Sequence, residues 1–253
     1  MPDASRRDQS AGNTDVPTTP PHTIYPYGPP EAVAEGVWLI RGNLSYPLHR
    51  NMVIIRLANG DLVLHSVIAM EEAGLRALEA LGTPAYSIVP SVLHMMDAPF
   101  YRQRYPAMKQ LAPSASMEEI GRTVAIDGSV EEVLPPLGFT LHRATGTKMV
   151  EFVYEFPLPG GGRALMANDV FGSAHAADDS RFLGRLIVSH IAVPGHHLGI
   201  PRIYRFRFIT DIAAVRKFAG DLATIPDLRL VTVSHRDPVT EAPAEALRAV
   251  AAG

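Results

Sequence analysis

From Val37 onward the apolar residues fall into short runs closed by turn signals, and their spacing switches between the alternation of strands and the longer period of helices. VWLIRG (37–42) and NMVIIRLANGDLVLHS (51–66) read as strands, the second folding back on itself at Asn59-Gly60, the clearest hairpin signal in the chain. Over 70–81, Leu75, Leu78 and Leu81 recur at near-helical spacing with Gly82 as the stop, which predicts an amphipathic helix. AYSIVPSVLH (85–94) returns to strand, and Ser116 with Glu119 has the spacing of a capping box at a short helix start. VAIDGSV (124–130), FTLHRAT (139–145) and MVEFVYEFPL (149–158) alternate like neighbouring strands. Gly160-Gly161-Gly162 reads as the hairpin turn into RALMAND (163–169).

Two core-facing helices follow. One is expected at 179–190 on Phe182, Leu183, Leu186 and Ile187, and one at 211–222 on Ile212, Val215, Phe218, Ala219 and Leu222, with Asp211 as its N-cap. LRLVTVSH (228–235) is a last strand and AEALRAV (244–250) a closing helix. Such an order fits two sheets packed together and covered by helices, or one mixed sheet with helices on both faces.

Composition narrows the chemistry. With 253 residues, 47% hydrophobic and 19% charged, the chain is long enough and apolar enough to bury a core. Lys and Arg number 23 against 26 Asp and Glu, a net charge of −3 with no basic stretch to track phosphates, so neither nucleic acid nor an anionic membrane is expected as a partner. The absence of cysteine excludes disulfides, thiolate metal sites and a Cys nucleophile. Seven of the 22 prolines lie in residues 1–30, which lack core-forming side chains and read as a flexible tail ahead of a single domain over 31–253. No apolar run has the length of a signal peptide or the roughly 18 residues of a membrane span, so a cytoplasmic protein is expected. Glycine-loop nucleotide motifs and a G-x-S-x-G nucleophile elbow are both missing.

What stands at the strand ends sets this chain apart. LVLH ends at His65, SIVPSVLH at His94, RALMAND at Asp169 and LRLVTVSH at His235, and in layered α/β folds strand ends face the ligand crevice. Each residue also has a plain structural reading: His235 as an exposed strand end before Arg236-Asp237-Pro238, Asp169 as a turn or cap residue, His94 as a buried imidazole hydrogen-bonded internally. Arg102, Arg104, Tyr105 and Lys109 offer a clamp for an anionic substrate group or, more simply, a solvated face. Pro194-Gly195-His196-His197 is set aside because it falls after Asp169 rather than before it, His142 lies inside a strand as a satisfied histidine does, and His49, His175 and His190 show no partner pattern.

In this order the segments resemble the metallo-β-lactamase superfold shared by glyoxalase II and many metal-dependent hydrolases. RALMANDVFG resembles the strand that ends in a metal-bridging Asp, and VTVSHRDPV the last strand, which ends in a metal-binding His. GDLVLHSVIA and IVPSVLHMMDAPFYRQRYPAMKQLAP resemble an uncharacterised subfamily with altered motifs. The resemblance covers about 33–240 and implies a four-layer αββα sandwich, an α/β (α+β) protein. If His94 takes the second His of the His-x-His-x-Asp-His signature, then Val92, Met96 and Asp97 stand where His, Asp and His are usual, and Thr147 stands where the third motif has its His. The resemblance therefore implies at most one metal, Zn or Fe, on His94, Asp169 and His235, with Asp97 as a fourth ligand or catalytic base and His65 and Ser66 lining the pocket. Two functions fit: a mononuclear hydrolase of an ester or thioester-type bond in a small-molecule substrate, or a metal-free, non-catalytic binding protein on the same scaffold.

Overall fold

The structure is a computed structural model that describes residues 24, 27, 29–43, 49–173 and 198–253. Alternating apolar residues on consecutive strands bury both faces of the first sheet. Its strands are β1 (Glu31–Ala34), β2 (Val37–Asn43), β3 (His49–Arg56), β4 (Asp61–His65), β5 (Thr83–Ile88), β6 (Lys109–Ala112) and β7 (Gly128–Ser129), hydrogen-bonded in that order. The pairs up to β3–β4 are antiparallel and those from β4–β5 onward parallel. Val53, Ile55 and Val63 point to one side, and Met52, Ile54, Leu62 and Leu64 to the other.

The second sheet runs β11-β10-β9-β8, built from β8 (Thr140–Arg143), β9 (Phe152–Pro157), β10 (Arg163–Met166) and β11 (Leu228–Thr232). Phe152, Tyr154, Phe156, Ala164, Met166 and Leu230 meet Val53, Ile55, Val63, Ile88 and Leu111 in the core between the sheets. The outer face of the first sheet carries α1 (Glu72–Glu79), α2 (Ala98–Arg104) and α3 (Met117–Gly121) through Leu75, Leu78, Tyr101 and Ile120. A short α4 (Val130–Val133) follows β7. The outer face of the second sheet carries α5 (Arg202–Phe208), α6 (Ile212–Leu222) and α7 (Pro243–Ala252) through Tyr204, Val215, Phe218, Leu222, Leu247 and Val250. The arrangement is therefore the αββα sandwich, and of the two architectures read from the sequence it is the two-sheet one.

Local differences have local causes. The hairpin at 51–66 forms, but its loop spans 57–60: Leu57 N donates to Asp61 O at 2.8 Å and Gly60 takes φ +89. The strand expected through residue 94 stops at Ile88, because Pro90 has no N–H to offer the ladder. A 3₁₀ turn, Val92–His94, replaces its end, with Ser91 Oγ accepting from Leu93 N at 3.3 Å. Of VAIDGSV only Gly128–Ser129 is strand. Ser116 sits at the N-cap of α3 without a side-chain cap bond, so the capping box does not form, whereas Asp211 caps α6 on Ala213 N and Ala214 N. The helix expected at 179–190, most of the 1–30 tail, His175, His190 and Pro194–His197 lie outside the described residues; Tyr27, near the end of that tail, packs against the helix-side core. No helix among the described residues is long and apolar enough to cross a membrane.

The loop at Gly146 is stitched to the start of α6, since Thr210 N and Asp211 N both donate to Gly146 O. Gly146 holds φ +76, and a Cβ there would meet Asp211 O at 2.2 Å; Gly138 holds φ +95 with nothing within 4 Å. Gly138→Ala is expected to cost about 1–2 kcal/mol of backbone strain, and Gly146→Ala about 2–4 kcal/mol because overpacking is added. Urea denaturation of the two variants checks the difference; equal losses would mean that the loop yields freely.

Candidate metal centre

Three loops at one end of the sandwich bring the chemistry together. The first follows β5, where the 3₁₀ turn presents His94. Its Nδ1 lies 2.7 Å from Ser66 Oγ, and Ser66, just past β4, takes φ +56 to reach it. With Nδ1–H donating to that hydroxyl, Nε2 is left to face the centre as a ligand nitrogen. The other two loops follow the neighbouring parallel strands β10 and β11 and are tied side by side. Ala167 N donates to Thr232 O at 2.9 Å and Ser234 Oγ to Asn168 Oδ1 at 2.7 Å. Asn51 in the first sheet reaches across: its backbone N donates to Ser234 O at 2.7 Å, and its side chain to Val233 O at 2.9 Å and to Arg236 O.

The result is a His–Asp–His cluster. Asp169 Oδ1 is 3.1 Å from His94 Nε2 and 3.1 Å from His235 Nε2, and one ligand atom from each of the three residues lies within 4.8 Å of the others. Burial by itself would raise the Asp169 carboxyl, but the two imidazoles outweigh it and hold it well below the usual carboxylate range. Its second oxygen, Oδ2, is buried without a hydrogen-bond partner among the described residues. The carboxylate and the two imidazole nitrogens fit a single divalent cation: bonds of about 2.1 Å in a tetrahedron set neighbouring ligand atoms about 3.4 Å apart, close to the 3.1 Å from Asp169 Oδ1 to each nitrogen, and a cation would give the orphaned Oδ2 a charge partner.

Other expected residues stand differently. Asp97 lies outside the cluster. Its Oδ2 accepts from Ala69 N at 3.1 Å and pairs with the buried Arg50, which is on the helix-facing side of β3 with Met52 and Ile54. His65 is fully buried between the sheets, edge-on to the Tyr154 ring at 5.8 Å, and neither of its nitrogens has a partner among the described residues. Burial, helped by the charge of His94, pushes its pKa down to about 3. Val92 packs against the helix-side core, Met96 is exposed, and Thr147 Oγ1 donates to Met149 O at 2.8 Å. The clamp candidates are engaged elsewhere: Arg102 pairs with Asp127, Arg104 with Glu72 and Glu79, and Tyr105 OH donates to Glu79 at 2.9 Å. Lys109 opens β6, and His142 lies 2.7 Å from Glu155.

Sequence reading missed Asn51, Arg50 and Glu151. Glu151 is completely buried behind Asp169 and accepts from Val170 N and Tyr204 OH, both at 2.7 Å. Burial and the Asp169 charge raise its pKa to about 8, against the pull of those donors. An acid inside the apolar run MVEFVYEF was the signal available for it.

No family model and no curated protein sequence matches the chain. Solved structures do. The mono-zinc form of the metallo-β-lactamase FIM-1 from Pseudomonas aeruginosa superposes with a TM-score of 0.59 at 12% identity, covering 90% of this chain and 96% of that one. Metallo-β-lactamase DIM-1 gives 0.60 at 11%, covering 91% and 99%. The metallo-β-lactamase from Erythrobacter litoralis with β-mercaptoethanol in its active site gives 0.58 at 16%, covering 91% and 99%. The chain has the metallo-β-lactamase fold.

His65 supplies a test of the buried environment. Its folded pKa, about 3, is below the ordinary value of 6.5, so the unfolded chain takes up the proton first. The His65 contribution is intact above 6.5 and is lost as the pH falls toward 3, by about 2 kcal/mol at pH 5. Urea denaturation with chelator present should show His65→Leu losing about 2 kcal/mol less than the parent between pH 7.5 and pH 5. Parallel pH profiles would mean that His65 is hydrated or paired.

Proposed function

We propose that this protein is a mononuclear metal-dependent hydrolase acting on an ester or thioester-type bond. The observation that carries the reading is the buried Asp169 carboxylate, flanked at 3.1 Å by two imidazole nitrogens and holding one oxygen without a partner among the described residues. His94, Asp169 and His235 would hold the ion, Zn²⁺ or Fe²⁺ by donor type. Such an ion supplies a Lewis acid that lowers the pKa of water toward neutrality.

The chain's own groups have separate tasks. Ser66 keeps His94 in the tautomer that offers Nε2. Glu151 holds the backbone of the Asp169 loop through Val170 N. Asn51 fixes the His235 loop against the first sheet. Asp97, drawn to Arg50, holds the turn that carries His94.

A second reading has its own support. The two 3.1 Å contacts are also hydrogen-bond distances, and a His–Asp–His set satisfied internally would suit a metal-free binding protein on this scaffold. Metal content separates the two. Protein purified without chelator should carry close to one equivalent of zinc or iron, and His94→Ala, Asp169→Ala and His235→Ala should each lose it, together with the metal-dependent rise in melting temperature. Double variants should lose little more, because ligands of one ion act as a unit. Metal-free parent protein that takes up neither Zn²⁺ nor Fe²⁺ on titration would leave the non-catalytic reading.

A further inference from the structure

Helix α5, RIYRFRF, divides its residues sharply. Tyr204 faces inward, 3% exposed, and donates to Glu151. The opposite face is open: Phe206 is 93% exposed and Ile203 53%. Helical spacing places Arg202, Arg205 and Arg207 around these two apolar side chains, on the solvent side of the helix. Residues 198–216 hold four arginines and a single acid, Asp211, whose carboxylate is committed to capping α6. Arg205, Arg207 and Arg216 form no ion pair among the described residues. Beside the ridge, Arg202, Arg205 and Arg216 border a cleft of about 330 Å³ with Leu198, Ile200 and Ile212.

A fully exposed Phe costs solubility and stabilises nothing in the fold, so an occupant is called for. Two protruding apolar side chains are too few for the roughly 800 Å² per partner of an ordinary protein interface. They suit an interfacial anchor, in which aromatic and aliphatic groups enter the headgroup boundary while arginines meet lipid phosphates. The chain's net charge of −3 does not oppose this, because charges beyond about 10 Å are screened and the excess at α5 is positive. We propose that α5 is a peripheral docking site for an anionic phospholipid surface, with Phe206 and Ile203 as the inserted side chains and Arg205 and Arg207 as the phosphate contacts. The linear sequence hid this face: its charges are few, and only the helix sorts them to one side.

Co-sedimentation of the full chain with vesicles tests the proposal. The parent should bind vesicles of phosphatidylglycerol mixed with phosphatidylcholine, bind pure phosphatidylcholine far less, and release at high salt. Arg205→Gln and Arg207→Gln should each weaken binding about five-fold, and Phe206→Ser about ten-fold. All three should keep the parent's melting temperature and metal content, since none touches the His–Asp–His cluster. No sedimentation with the anionic vesicles would overturn the proposal, as would binding undiminished when Arg205→Gln, Arg207→Gln and Phe206→Ser are combined in one chain. A concentration-dependent dimer dissolved by Phe206→Ser would also overturn it and assign the face to a second copy of the chain.

Discussion

The carboxylate of Asp169, buried between two imidazoles, is the interaction on which this end of the molecule depends. A charge removed from water must be compensated, and here the compensation comes from His94 and His235, on loops after strands of different sheets. Much of the surrounding polar structure serves that meeting. Ser66 adopts a backbone angle that non-glycine residues rarely take so as to reach His94; Asn51 binds the His235 loop; Asn168 and Ser234 bind the two second-sheet loops to each other. Glu151 closes the rear, linking the Asp169 loop to α5 through Tyr204.

The strands were legible because alternation follows from local pattern, which also marked four strand-end residues; the set of His94, Asp169 and His235 rested on the resemblance to the superfold, and the structure places these three together without His65. Alternation in NMVIIR and DLVLH is a consequence of two buried faces, and His65, which closes the second run, shows that a strand-end His can equally turn into the core between the sheets. Helix α5 was not legible: its inward contacts, Tyr204 and Phe208, are too few to make an apolar stripe, and tertiary packing holds it. Glu151 and Arg50 were hidden for a related reason. A charged residue in a strand is expected to face water, and only the folded chain shows that each is buried against a partner on another element. The 3₁₀ turn that carries His94 reads as strand from the sequence because Val92 and Leu93 extend the apolar run past Pro90.

Departures from the superfold's usual motifs now have a place in three dimensions. Val92 is turned into the helix-side core, Met96 toward solvent, and Thr147 toward its own backbone, so none belongs to the cluster. Asp97 is paired with Arg50. Among the described residues one three-ligand set remains, and a single cation is the natural complement of a buried carboxylate oxygen that has no partner.

X-ray diffraction at the zinc absorption edge, on crystals grown with Zn²⁺ and without chelator, tests the central claim most directly. The account predicts one anomalous peak per chain about 2.0–2.2 Å from Nε2 of His94, Nε2 of His235 and a carboxylate oxygen of Asp169. An ordered, metal-free cluster with His94 and His235 hydrogen-bonded to Asp169 at saturating Zn²⁺, or a peak held by other residues, would contradict it.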